Sequence, residues 1–331
     1  LGWLVVSMRE EGPGPWLTRE VESVTAEGRF PAETIVRAGE VLLRREAGAE
    51  ALALARSAVA RANGLLAAYV LGIAAGVKND DLEFAEKCAS EGALHASNPA
   101  PFYKTLADLK AIKRTDDAET ITALEFLREK FPEETRWSEQ LGQLYFRKSD
   151  MKRVLKILSP LIQKSVSRVS LRSMLVAAEA ARLEERYGDA INILETAYKM
   201  YPRNIAVLNN LVYVLAQQDK TLSRATELLP KLIELGGSFF EVMDTVAMVY
   251  LRNGDVDQAS RYMDQALDKV SPRAYSSPEI QLNHARLLFR QGEYERAAAL
   301  LRELMANPEL PSLLVTSARR LLERIEGGRV D

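Results

Sequence analysis

Apolar residues recur along this chain at helical spacing, in stretches of about 12–14 residues separated by short polar turns. From Leu171, residues Met174, Ala177, Ala178 and Ala181 share one helical face, and a charged turn follows at Glu184 to Arg186. A second helix carries Ala190, Leu194 and Ala197 and stops before Pro202, which cannot continue it. The same cycle runs through Leu208, Leu211 and Leu215, a turn at Gln217 to Lys220, then Ala225, Leu229 and Leu232, with Gly236-Gly237 read as a glycine stop. It returns through Met243, Val246, Ala247 and Tyr250, the turn Arg252-Asn253-Gly254-Asp255, then Ala259, Met263 and Ala266. The last full cycle has Ala285 and Leu288, the turn Arg290-Gln291-Gly292-Glu293, then Ala297, Leu301 and Leu304, ending at Pro308.

A small residue marks one position of every cycle: Ala51, Ala85, Thr120, Val154, Ala190, Ala225, Ala259 and Ala297. The steps are 34, 35, 34, 36, 35, 34 and 38 residues. A period of this size predicts a solenoid of stacked antiparallel helix hairpins. Each helix is too short to be stable alone in water, so each hairpin must bury its apolar face on its neighbours. The predicted array covers residues 32–309. Residues 310–331 supply a closing amphipathic helix and tail, and residues 1–31 a worn first repeat or docking cap, with helix candidates at Leu1–Arg9 and Trp16–Glu27. Pro160 and Pro230 fall inside second helices and predict kinks, absorbed by the stack or used to alter its curvature. The long last step predicts a surface loop near Ser271 to Ser277.

Composition adds little that competes with the period. Lys and Arg total 44 against 46 Asp and Glu, a net charge of −2, which speaks against a nucleic-acid partner. The longest apolar run, Leu65 to Val77, falls short of the ~20 residues a bilayer span needs, so no direct membrane insertion is expected. The single cysteine, Cys88, excludes an intrachain disulfide and reads as a buried small hydrophobe, with a reactive thiol as the alternative. Because the chain starts at Leu1 rather than Met, it is expected to be a fragment or processed product, and the compartment, cytoplasmic or periplasmic, is left open.

No catalytic constellation is visible, so no enzyme activity and no cofactor are expected. His95 and His284 are too far apart to form a local metal pair, and His284 reads as a satisfied core histidine. Gly12-Pro13-Gly14-Pro15 lacks the Lys-Ser/Thr of a nucleotide loop. Asp80-Asp81 and Asp116-Asp117 read as hairpin turns rather than paired acids.

The pattern resembles the tetratricopeptide repeat family, best in Leu141-Gly142-Gln143-Leu144-Tyr145 and in Arg252-Asn253-Gly254-Asp255-Val256-Asp257-Gln258-Ala259. Thr120 and Val154, in place of Ala, and Asp108, in a slot for Gly or Ala, mark the middle units as degraded. The resemblance implies an all-α, right-handed superhelix whose first helices line a concave groove for a peptide or partner protein. Projected onto this sequence, the groove would draw on Arg136, Glu139, Gln143, Phe146 and Arg147, then Arg172, Leu175, Glu179 and Arg182, then Asn209, Tyr213 and Gln217. Asp244, Met248 and Arg252 would follow, and finally Arg286, Phe289 and Arg290, with Tyr213 and Phe289 expected as exposed aromatic anchors. The lysine–asparagine clamp by which some relatives hold a C-terminal carboxylate is not matched. Asn210 fits the middle helix, but Leu175 and Glu179 precede it and Glu241 and Thr245 follow. Nor is there an asparagine ladder, since only Asn210 and Asn283 fall in that slot.

One further column, Arg44, Lys78, Lys113, Arg147, Arg252 and Arg290, places a cation at the end of six first helices. It suits the negative helix C-terminus at about 0.3–1 kcal/mol each, or else forms a basic ladder. The function expected is a non-catalytic interaction scaffold. Alternatives are an architectural segment of a secretion or polysaccharide-export assembly, or an accessory part of an enzyme whose catalytic domain lies elsewhere.

Overall fold

The computed structural model describes residues 15–26, 30–61, 64–269, 277–308 and 310–327. Among these it holds eighteen α-helices and no strand, in two compact units, residues 1–141 and 142–331. The first unit contains α1 (Pro15–Ala26), α2 (Ala32–Arg44), α3 (Gly48–Arg61), α4 (Leu66–Lys78), α5 (Leu82–His95), α6 (Ala100–Lys113) and α7 (Ala118–Lys130). Helix α8 (Thr135–Arg147) crosses the boundary. The second unit continues with α9 (Met151–Ser165), α10 (Leu171–Leu183), α11 (Tyr187–Met200), α12 (Ile205–Leu215) and α13 (Asp219–Gly236). It ends with α14 (Phe240–Arg252), α15 (Val256–Lys269), α16 (Pro278–Arg290), α17 (Tyr294–Met305) and α18 (Ser312–Glu326).

Within each unit a helix packs on the helices one and two places along the chain: α2 on α3 and α4, α12 on α13 and α14, α14 on α15 and α16. That is the neighbour-only contact pattern of a helical solenoid. The small-residue column lies where the two helices of a hairpin meet. Its six alanines and Val154 are no more than 1% exposed. Thr120 is also buried, and its hydroxyl is satisfied by the Thr115 carbonyl at 3.1 Å and Asp117 Oδ1 at 2.8 Å. A threonine in the alanine slot therefore leaves no unpaired polar group in the core.

Most of the hairpin turns share one geometry. The residue five places before the small column is left-handed in six of the eight hairpins: Glu46, Asp80, Ser149, Glu185, Gly254 and Gly292. The next amide then reaches back to the first helix, as Asp255 N does to the Tyr250 carbonyl at 3.0 Å and Arg186 N to Ala181 at 2.8 Å. This pattern satisfies carbonyls orphaned at a helix end and favours glycine at the left-handed position. Side chains then start the second helices: Asp81, Asp117, Asp150 and Asp255 each accept from the amide three residues on.

Glycines in helix interiors serve close approach instead. A Cβ on Gly142 would lie 2.7–2.8 Å from three carbons of Leu158, which fixes the α8–α9 crossing. Gly236 similarly fits between Ile205 and Val242, and Gly237 beyond it has φ −63°, so the expected glycine stop is a packing glycine, not a left-handed cap. On Gly92 a Cβ would sit 2.3–2.9 Å from the buried Phe102 ring. Gly92→Ala gains up to about 1 kcal/mol of helix propensity but forces a rigid ring aside at about 1–3 kcal/mol. Urea denaturation should therefore show a net loss, which Phe102→Leu in the same chain should cancel.

Several local expectations are met and others change. Cys88 is fully buried against Gly72, and burial pushes its thiol up to about 12, the opposite of a reactive cysteine. Helices α9 and α13 each continue through Pro160 and Pro230. His284 is not satisfied: its Nδ1 is buried without a hydrogen-bond partner, and burial lowers its pKa. In the cation column Lys78 pairs with Glu46, Lys113 with Glu86 at 2.8 Å and Arg252 with Asp219 at 2.5 Å. Each tie runs back to the preceding hairpin, so these three cations are not a free basic ladder. The candidate helix at Leu1–Arg9 and most of the loop near Ser271 to Ser277 lie outside the described residues. Helix α1 packs Leu17, Val21 and Val24 into the core beside α3, while α18 lies on α16 and α17.

Candidate functional site

First helices of the second unit expose three adjoining clefts, and Glu179 and Asn210 line all of them. The polar one, of about 210 Å³, is walled by Glu179 and Arg182 of α10, Asn209, Asn210 and Tyr213 of α12, and Glu241, Asp244 and Thr245 of α14. Ser277, Glu279 and Ile280 close it from the start of α16. The larger cleft, about 550 Å³, is mostly apolar: Phe146, Leu171, Leu175 and Val176 with Arg172 beside Glu179 and Asn210. A small cavity of about 20 Å³ lies behind Tyr213.

Arg182, only 5% exposed, is held by both oxygens of Glu179 at 2.6 and 2.7 Å. Its guanidinium lies 5.6 Å from the Tyr213 ring centroid and 3.7 Å from Glu279. Burial disfavours its charge, but hydrogen bonds and attraction from Glu179 outweigh that and raise its pKa. Asp244, 4% exposed, accepts from one amide nitrogen, Asn283 Nδ2, at 3.0 and 3.1 Å. Asn283 Oδ1 in turn accepts from Arg286 at 3.0 Å. Burial, with Glu279 adding to it, pushes the Asp244 carboxyl up to about 7 against the pull of Asn283 and Arg286. Burial also pushes the Tyr213 hydroxyl up to about 12.

A carboxyl raised by burial binds its proton more tightly in the folded chain. It therefore costs no stability below about pH 4 and a growing amount as pH rises towards 7. Asp244→Asn removes that cost: the variant should match the wild type near pH 4 and exceed it by about 1–3 kcal/mol at pH 8. Denaturant midpoints across that range read the difference, and parallel curves would show that Asp244 does not carry a buried charge.

The projected groove residues divide accordingly. Glu179, Asn209, Tyr213 and Asp244 meet in the polar cleft, with Arg286 half-buried behind Asn283 and Arg172 exposed in the apolar cleft. Gln143 is half-buried and reaches Ser173 Oγ at 3.4 Å, and Arg147 is exposed at the end of α8. Arg136, in the first unit, stacks 3.7 Å above Trp137. Met248 is buried, its sulfur accepting from Gln217 at 3.4 Å, and Arg252 is tied to Asp219. The expected aromatic anchors are corrected: Tyr213 is half-buried under Arg182, and Phe289 is 7% exposed, beneath Arg324 and beside Tyr294. Phe289 fails as an anchor because α18 covers the face that the helical projection leaves open. Glu279 escaped the projection, since nothing local ties it to Arg182, 97 residues earlier.

One group of carboxylates among the described residues has metal-ligand spacing: Glu86, Asp117 and Glu119, in the first unit. The Lys110 ammonium sits among them, at 2.5, 2.6 and 3.0 Å. No helix among the described residues is long and apolar enough to cross a membrane.

Residues 247–311, spanning most of α14 to α17, match a family model described as tetratricopeptide repeat. A search among curated proteins finds no match. Among solved structures, the C-terminal part of a TPR repeat-containing protein from Cytophaga hutchinsonii is 15% identical with a TM-score of 0.51. That likeness covers 70% of this chain and 94% of the other. A thermophilic TPR protein in Thermus thermophilus is 16% identical with a TM-score of 0.44, over 56% of this chain and 97% of its own. At 15% identity the likeness to the Cytophaga hutchinsonii protein is one of fold.

Proposed function

We propose that this chain, a tetratricopeptide-repeat protein, is an interaction scaffold that holds an extended polypeptide segment along the first helices of residues 142–331. One observation carries this reading: a polar and an apolar cleft adjoin on α10 and α12 and share Glu179 and Asn210. An extended chain presents side chains to alternate sides and brings its own backbone hydrogen-bonding groups, so it suits a surface offering both kinds of contact. Among the described residues no hydrogen bond engages the Asn210 side chain, and it stands where the two clefts meet, placed to pair with a peptide backbone. The tight Arg182–Glu179 pair beside it keeps the surface preorganised, which lowers the entropic cost of binding.

Random linear peptides selected on the whole chain test the proposal. Bound peptides should slow hydrogen exchange in α10, α12 and α14, and Asn210→Ala should weaken them about tenfold, ~1.4 kcal/mol. Protection confined to second helices such as α11 and α13, with no effect of Asn210→Ala, would place recognition elsewhere and defeat the reading.

A further inference from the structure

The polar cleft is short of positive charge. Four carboxylates line it, Glu179, Glu241, Asp244 and Glu279, against the single guanidinium of Arg182. Arg182 is already committed: Glu179 takes its two-pronged face, and Glu279 approaches it only at 3.7 Å. Asp244 is the sharper anomaly. It is almost fully buried, yet among the described residues no cation lies within ion-pair distance of it. Both of its oxygens share one amide nitrogen of Asn283. Arg286 stops one residue short, spending its hydrogen bond on Asn283 Oδ1 rather than on the carboxylate. An ionised carboxylate has about four acceptor positions, so most of this one's capacity goes unused.

A second group repeats the shortage independently. Asn209 Oδ1, in the wall of the same cleft, is buried with no donor. Buried acceptors are expensive to leave unpaired, and a buried carboxylate without a cation more so. The surplus here is of acceptors around one cleft, and Glu279 and Glu241 add negative potential to its lining. What complements such a site is a donor-rich cation on a slender stem.

We propose that this cleft takes the side chain of a lysine or arginine from the bound segment, its ammonium or guanidinium donating to Asp244 and Glu279. The proposal rests on the groove reading above and gives it a chemical specificity: a basic residue in the register that meets α12 and α14. An acidic residue would be excluded from the same position. Apolar residues flanking the basic one would fall against Phe146, Leu171 and Leu175 of the neighbouring cleft.

The cation site can be tested apart from the peptide. Nα-acetyl-arginine amide, Nα-acetyl-lysine amide and the uncharged Nα-acetyl-citrulline amide are titrated separately into the isotope-labelled whole chain, and amide shifts are followed by NMR. At least one cationic probe should shift Asn209, Asn210, Asp244 and Thr245 saturably, with citrulline about tenfold weaker or worse. Asp244→Asn, and separately Glu279→Gln, should each erase most of that preference while circular dichroism shows the helices intact. Equal binding of citrulline and arginine, tighter binding of the corresponding glutamate probe, or no shift in the cleft overturns the proposal. Selected peptides separate it from its premise. Peptides that protect α10, α12 and α14 without a basic residue sink the cation proposal and leave the groove standing. A cation probe that binds, beside peptides that never touch this face, sinks the groove alone.

Discussion

Replacing Lys110 with methionine lowers the unfolding free energy by about 2–4 kcal/mol, although the substitution keeps most of the side chain's bulk. The ammonium of this lysine, itself only 3% exposed, is surrounded by Glu86 of α5, Asp117 at the N-cap of α7 and Glu119 within α7. It thus ties the second helix of one hairpin to both helices of the next. Methionine leaves three carboxylates facing one another with no cation between them except Lys113, which reaches only Glu86. Breaking a buried pair typically costs about 3–5 kcal/mol, and the lower expectation reflects the roughly 40% exposure of Asp117 and Glu119, which can rehydrate.

The loss should carry a pH signature. Burial would raise the Asp117 carboxyl, but hydrogen bonds from Lys110 and Thr120 prevail and hold it at about 2. Glu86 is likewise lowered, its burial outweighed by Lys110 and Lys113. Groups depressed on folding contribute stability that is present above their unfolded pKa, near 4, and is lost as pH falls through the folded value. Lys110 is shifted the other way, burial being overcome by Asp117, Glu86 and Glu119, so its contribution holds below its ordinary value near 10.4 and fades above it. Wild type should therefore exceed Lys110→Met by a constant margin from about pH 5 to 10, and the margin should close towards pH 2. Chemical denaturation at a series of pH values reads this directly. A margin unchanged at pH 2 would mean that packing, not the ion cluster, carried the difference. Because contacts in a solenoid are local, faster hydrogen exchange should concentrate in α5 to α7.

Trp137→Ala is the second large effect, at about 3–5 kcal/mol. Its ring is fully buried at the start of α8, with the Arg136 guanidinium stacked 3.7 Å above it and Lys104 at 6.0 Å. Two contributions compete for the credit. An exposed cation such as Arg136 stacked on a ring is worth about 0.5–1 kcal/mol, whereas burying the ring and filling its cavity is worth several. Arg136→Ala should thus cost a fraction of what Trp137→Ala costs, in the same urea titration. The indole Nε1 has no hydrogen-bond partner, so no polar contact is lost with the ring. Comparable losses from the two variants would mean that the stack, not burial, holds the ring.

These two residues show how unevenly the sequence speaks. Trp137 is legible as a bulky residue on a helical face because an apolar group declares its burial by its own chemistry. Lys110 is not: it falls in a charged helix, and only the register of α5 against α6 and α7 surrounds it with acids. The same contrast divides the candidate site. Glu179, Asn209, Tyr213 and Asp244 were found by counting along first helices, since helical geometry fixes which positions share a face. The exposure of each was not found, because it depends on what neighbouring helices lay over that face. Phe289 disappeared beneath Arg324 of α18, and Met248 under its own neighbours, for that reason.

What the sequence determined by itself was the unit and its period. A small residue every 34 to 38 positions, amphipathic faces and short turns leave a stacked array of hairpins as the arrangement that buries every greasy side. The left-handed turn position was legible where it is Gly254 or Gly292, and hidden where Glu46, Asp80, Ser149 or Glu185 adopts the same backbone. Tertiary structure alone decided the cleft. Glu279 faces Arg182, and Asn283 serves Asp244 across 39 residues, because α10, α12, α14 and the start of α16 meet around one cleft, which local pattern does not encode. Hydrophobic periodicity specifies which face turns inward, whereas the crossing angles that bring distant polar groups together are set by how side chains interlock.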